Sequence, residues 1–205
     1  MPQTEAGLTP REAASVTQVS LKQVNAIIDS GILAKTVVTK DRERRITKTG
    51  LLYLKLVFDT SEMLTREGRE RVIRMLEESP RRQVFQENGV RVDVRAFRSA
   101  VNEGLSRLRQ ARGLVARDPD ILGGTTCIKG TRIPVHDVAA LVAAKESMAA
   151  IRRAYPRLSK AQIELAALYA EAYPRRGRPR RKPAWHKSEP VSSKRVALKD
   201  MAAAP

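Results

Sequence analysis

Cysteine, aromatic residues and long apolar runs are all scarce in this sequence. The one cysteine, Cys127, rules out an internal disulfide framework and fits a reducing cytosol. Aromatics supply only 4% of the residues, so any core has to be built from Leu, Ile, Val and Ala, which favours helices. No apolar run approaches the ~18 residues of a membrane span, and the N-terminus lacks the basic-then-apolar pattern of a secretion signal. A cytoplasmic protein with no membrane partner is therefore expected. Clustered carboxylates of metal-binding type, paired Cys/His spacings, a Ser–His–Asp set and a phosphate-cradling Gly-rich loop are all missing. The sequence thus argues against an enzyme and predicts neither a metal nor a cofactor. His136 and His186 stand fifty residues apart, and Cys127 has no histidine near it, so it reads as a small buried hydrophobe.

Basic charge is abundant. The formal net charge is +17 over 205 residues, and it is unevenly spread. Residues 1–80 are almost balanced, with thirteen basic against eleven acidic residues, whereas residues 175–205 hold ten basic against two acidic. A polyanionic partner follows, nucleic acid before membrane, because no lipid-facing amphipathic helix accompanies the charge.

Thr9-Pro10-Arg11-Glu12 combines an N-cap threonine, a proline at the first helical position and a glutamate three residues after the cap. This short helix breaks at Thr17-Gln18-Val19. Ser20 caps a second helix that turns Leu21, Val24, Ile27 and Ile28 inward, and Gly31 is placed to follow its end. Thr36-Val37-Val38 and Ile46 then flank a charged tip, Lys40 to Arg45. Helix, turn, helix and a basic hairpin make residues 8–60 a winged helix–turn–helix module, and Leu8 to Leu56 resembles that of MerR-like and excisionase-like regulators. Ser20, Lys22, Gln23 and Asn25 offer the second helix to a major groove, while Lys40, Arg42, Arg44 and Arg45 offer the wing to phosphates. The same pattern also fits a helical packing unit whose charges are only solvated.

Thr65 caps a helix over Arg66 to Glu78 with Val72, Ile73 and Leu76 inward, and Pro80 ends it. Val84 to Val92 alternates around Asn88-Gly89, a hairpin signal. Asp93 is placed to cap a helix through Phe97, Val101, Leu105 and Leu108 that Gly113 stops. Residues 61–113 form a helical and hairpin connecting unit whose apolar faces serve either as plain core or as a homodimer interface.

The sharpest stretch runs from Arg117 to Val135. Gly123-Gly124 permits a tight reversal, and the apolar pairs Cys127-Ile128 and Ile133-Val135 flank Lys129-Gly130-Thr131-Arg132, suggesting a small edge hairpin with Pro134 at its margin. Three helices follow: His136 to Ala144, Met148 to Tyr155 under the Ser147 cap, and a Ser159/Gln162 capping box that opens a run to Pro174. Gly123, Gly124, Gly130, Thr131, Arg132 and Pro134, together with Tyr155-Pro156-Arg157-Leu158-Ser159, carry a resemblance to the small domain of unknown function found in VapB-like antitoxins of type II toxin–antitoxin pairs. Residues 114–174 are accordingly expected to be an antitoxin-like trihelical domain. Lys145-Glu146 stands where that family usually carries glycine before its second helix.

After Pro174 the composition changes to a proline-rich basic tail, residues 175–205, expected to be disordered when free. Arg176-Gly177-Arg178-Pro179 looks like an AT-hook, in which glycine lets the backbone lie in a narrow minor groove while the arginines enter its negative potential. The alternative is a flexible basic exit sequence. Arg176, Arg178, Arg180, Arg181, Lys182 and Lys187, with Trp185, Val196, Leu198 and Met201 as apolar anchors, are the residues expected to wrap an acidic toxin.

The fold class expected is mainly α with short β-hairpins: a winged helix–turn–helix, a trihelical domain and a basic tail. The resemblance implies an antitoxin that neutralises a PIN-like ribonuclease toxin and binds its own operator DNA as a homodimeric repressor. The competing reading is a DNA-binding regulator or nucleoid-associated protein without a toxin.

Overall fold

Local signals written into the first thirty residues set the start of the fold. The computed structural model describes residues 7–40, 42–87 and 90–175, with the backbone alone at 87 and 90. The chain is mainly helical, with three separate two-stranded antiparallel pairs. Helix α1 (Pro10–Thr17) carries the full capping box: Glu12 N donates to Thr9 Oγ1, and Thr9 N donates to Glu12 Oε2 at 2.8 Å. Gln18, in left-handed backbone at φ 57°, ends it. Helix α2 (Leu21–Asp29) starts at Ser20 and buries Val24 and Ile28, with Gly31 at φ +79° just beyond its end.

Strands β1 (Val37–Lys40) and β2 (Glu43–Ile46) pair antiparallel, and Leu8 bridges to Ile46 on the open side. Pairing extends to Lys40 opposite Glu43, so the charged tip is shorter than the expected Lys40 to Arg45. Arg44 and Arg45 are strand residues, because register with Val38 and Thr39 offers them backbone hydrogen bonds that a loop lacks. Helix α3 (Lys48–Asp59), capped by Thr47, supplies the largest block of core, with Leu51, Leu54 and Leu56 fully buried.

Helix α4 (Arg66–Glu78), strands β3 (Val84–Glu87) and β4 (Val90–Asp93), and helix α5 (Arg95–Leu114) follow the sequence expectation closely. Two details differ. Val94 occupies the cap position of α5, and Asp93 instead accepts from Arg95 N at 3.0 Å. Gly113 does not stop α5, which runs on to Leu114. A single glycine costs a helix only about 1 kcal/mol, and the packing of the preceding turns outweighs it.

The edge hairpin expected between Cys127-Ile128 and Ile133-Val135 is reduced to one bridge, Cys127 to Pro134. The regular pairing is made instead by β5 (Val115–Arg117) with β6 (Thr126–Ile128), and Gly123-Gly124 lies in the connection between them. Val135, expected in a strand, opens helix α6 (Val135–Ala143), since Pro134 preceding it has no N–H to offer a strand ladder. Helices α7 (Met148–Ala154) and α8 (Lys160–Ala172) begin at Ser147 and Ser159, the latter with its capping box intact. Lys145 sits at φ 60°, which explains why glycine suits this position.

Two apolar cores result. One gathers α1 to α5 around Leu51, Leu54, Leu56 and Leu108, and reaches across to Ala172; the other gathers Ile128, Val135, Val138, Ile151, Leu158 and Ile163. Residues 8–60, 61–113 and 114–174 all lie within one compact unit that extends to Arg175. Helix α5 packs against α1 at Gly104, where an added Cβ would stand 2.1 Å from Val16 O.

Candidate functional site

Three groups of polar residues stand out. The first is the exposed side of α2 with the neighbouring β1–β2 hairpin. Burial of Val24 and Ile28 turns Lys22 and Gln23 outward, and Asn25 is half-buried. Lys22 makes no ion pair among the described residues, whereas Gln23 is held: Ser20 Oγ donates to its Oε1 at 2.5 Å. On the hairpin, Arg42 is exposed at φ 62° and Lys40 is exposed beside it. Arg44 forms an ion pair with Asp29 of α2. Arg45 donates to Gly7 O at 3.2 Å and to Glu43 at 3.3 Å. The hairpin arginines therefore divide into Arg42, which has no partner among the described residues, and two that are held by hydrogen bonds and ion pairs.

The second group is the glycine motif. Its backbone accounts for most of its residues. Gly123, Gly124 and Gly130 all have positive φ. Thr131 closes the turn twice, its hydroxyl donating to Ile128 O at 2.8 Å and accepting from Ile133 N at 3.1 Å. Pro134 is the residue before α6, and Arg117 Nε donates to Gly124 O at 2.7 Å. Arg132 is the exception. It is exposed and has no hydrogen bond or ion pair among the described residues, and it rims a cleft of about 700 Å³ together with Arg157 and Asp118.

The third group was not legible as a site. Glu12, Arg112 and Tyr173 lie up to 161 residues apart and meet where α1, the end of α5 and the end of α8 converge. Arg112 Nη2 donates to Glu12 Oε1 at 2.7 Å and its Nε to Tyr173 Oη at 2.6 Å; the Tyr173 hydroxyl donates to Glu12 as well. Glu12 is only 6% exposed. Burial pushes its carboxyl up, but hydrogen bonds from Tyr173, the Thr9 backbone and Arg112 outweigh that and hold it below its ordinary value. Burial, and then the hydrogen bond to Glu12, pushes the Tyr173 phenol up to about 12. His136 Nε2 lies 2.8 Å from Tyr173 O, and its ring meets Tyr169 edge-on, so the histidine is a packing residue of this junction. Among the described residues no cluster of His, Cys, Asp and Glu could hold a metal, and Cys127 is buried. The only signal for this junction was Glu12 as a capping residue, a local role that concealed its distant partners.

Residues of the tail, Arg176, Gly177, Arg178, Arg180, Arg181, Lys182, Trp185, Lys187, Val196, Leu198 and Met201, lie outside the described residues, as does the Asn88-Gly89 turn. No helix of the described residues is long and apolar enough to cross a membrane.

Residues 115–170, which comprise β5 to α8, match the family model described as a protein of unknown function, DUF433. No solved structure matches the chain. The uncharacterized protein y4eO of Sinorhizobium fredii is 37% identical over 193 residues, covering 88% of this chain and 87% of the relative. Identity of that extent reaches well beyond residues 115–170, and the chain belongs to the same family as y4eO, with a match to DUF433 over residues 115–170.

Proposed function

We propose that the protein is a DNA-binding regulator whose residues 8–60 act as a winged helix–turn–helix, and that it serves as the antitoxin of a type II pair by neutralising a PIN-like ribonuclease. The observation that carries the first half is the exposed Lys22 on α2, without an ion pair among the described residues, together with a hairpin on which Arg42 and Lys40 are exposed. Lys22, Gln23 and Asn25 reach base edges, and Lys40 and Arg42 neutralise phosphates. The ion pair of Arg44 with Asp29 fixes the hairpin to α2, so the two present one surface. A homodimer on half-sites one helical turn apart supplies the operator specificity. The second half rests on the glycine motif, whose Arg132 is free of structural duties, and on the basic tail with Trp185.

The test uses the full chain and the DNA upstream of its own reading frame. Arg42→Ala should weaken binding to operator and to unrelated DNA by the same factor and lower the salt dependence by about one phosphate contact. Lys22→Ala should instead narrow the ratio between operator and unrelated DNA. Unchanged binding in both variants would return this module to a packing unit. For the second half, co-expression with a neighbouring ribonuclease should restore growth and yield a stable complex, and Trp185→Ala should loosen that complex by roughly 1–3 kcal/mol. A regulator without a toxin is the reading left if DNA binding holds while no such complex forms.

A further inference from the structure

A cavity of about 280 Å³ lies between α3, α4 and α5, away from the α2 surface and from the glycine motif. Its floor is apolar, made by Leu52, Leu76 and Val101, and its rim is basic, made by Lys48 and Arg98. No carboxylate lines it.

Arg98 is the unusual member. Its guanidinium carries five donors. Among the described residues Nη2 donates to Pro80 O at 2.6 Å, Nε is buried with no partner, and no acidic side chain pairs with the charge. A buried donor left unpaired is costly, because neither water nor an acceptor replaces its lost hydration. Glu77, whose charge acts on Tyr53, is engaged by Lys35 at 2.7 Å. Tyr53 is 3% exposed and its hydroxyl makes no hydrogen bond among the described residues. Lys48 and Thr49 form the first turn of α3, whose N–H groups have no acceptor within the helix and favour negative charge. Three independent features thus ask for an anion at one end of an apolar pocket.

We propose that this cavity binds a small organic acid, its carboxylate held by Arg98, Lys48 and the Tyr53 hydroxyl, its apolar body on Leu52, Leu76 and Val101. The guanidinium charge of Arg98 suits a carboxylate, and the cavity size restricts the body to a single small ring or short branched chain. The binding does not depend on the DNA-binding reading, because it is read without DNA.

Thermal unfolding of the full chain at constant ionic strength, with sodium benzoate as the probe, tests it. Benzoate should raise Tm in a saturable way, since a ligand that binds only the folded state stabilises it. Benzamide, with the same body and no charge, and inorganic phosphate, with charge and no body, should each give a much smaller shift. Lys48→Gln and Tyr53→Phe should weaken the apparent benzoate affinity, the former by about tenfold, as loss of a charge-assisted contact implies. Arg98→Gln should abolish it, and, by removing the buried unpartnered Nε, should cost the unliganded protein little stability. Lys48 is exposed and unpaired, so its variant folds and stays informative whatever Arg98→Gln does. An absent benzoate shift, equal shifts from benzamide or phosphate, or undiminished affinity in Lys48→Gln would overturn the proposal.

Discussion

Glu12 shows how much one residue is asked to carry. It closes the capping box of α1, accepts from Arg112 of α5 and accepts from Tyr173 beyond α8. Its folded-state carboxyl titrates below its ordinary value, so it contributes stability that is complete above about pH 4.5 and is lost as pH falls through the folded-state value. Tyr173 has the opposite sign. Its value, raised from 10.0 to about 12, means stability present below pH 10 and lost as the pH rises toward 12. Glu12→Gln should therefore flatten the acid limb of a stability-against-pH curve measured by urea unfolding, and Tyr173→Phe the alkaline limb. Each should cost roughly 1–3 kcal/mol at pH 7, since the remaining partners are left unpaired in a half-buried place. Parallel curves for wild type and both variants would mean that the junction is only packing.

Between elements, α5 lies tight against α1 at Gly104. A methyl at Gly104 would stand 2.1 Å from Val16 O, a backbone atom that no side-chain rotation can move aside. Replacing glycine by alanine within a helix favours the helix by roughly 0.5–1 kcal/mol, but forcing atoms into a filled contact costs typically 1–3 kcal/mol and more against backbone. Overpacking wins, so Gly104→Ala should lower the urea midpoint without changing the slope. Gly113→Ala, where a Cβ meets nothing, should raise it slightly. A midpoint unchanged by Gly104→Ala would show that α1 can slide along α5 at little cost.

At the scale of the whole molecule, basic charge is denser beyond the compact unit than within it. The compact unit ends at Arg175, and the residues beyond it hold nine basic against two acidic side chains. On the proposed DNA-binding role, a chain ending at Arg175 should bind DNA less tightly at low salt. Its log-log salt slope should also be shallower by several phosphate contacts, with the footprint centre unmoved. Gel-shift titrations over a salt series measure both, and an unchanged slope would mean that the tail does not touch DNA.

Most helix boundaries were legible because they are local. Thr9, Ser20, Thr65, Ser147 and Ser159 each satisfy a helix start through atoms two or three residues away, and Pro156 and Pro174 mark ends for equally local reasons. The inward faces of α2, α4 and α5 were readable from helical spacing alone, since Val24, Ile28, Val72, Ile73, Leu76, Val101 and Leu108 are all buried. The pairing partner of β6 was not. Ile133 to Val135 and Val115 to Arg117 are both short apolar-containing runs, and only the continuation of α5 past Gly113 brings the latter alongside. Nor could spacing tell Arg42, without a partner among the described residues, from Arg44, held by Asp29, or foresee that Arg98 has no acid paired with it among them. Those outcomes depend on side chains brought together from distant parts of the chain. Where elements begin, which faces they bury and where basic charge accumulates follow from neighbours in the chain. Which charges pair with one another, which glycine a neighbouring backbone requires, and where a pocket is left between helices follow from packing between distant segments.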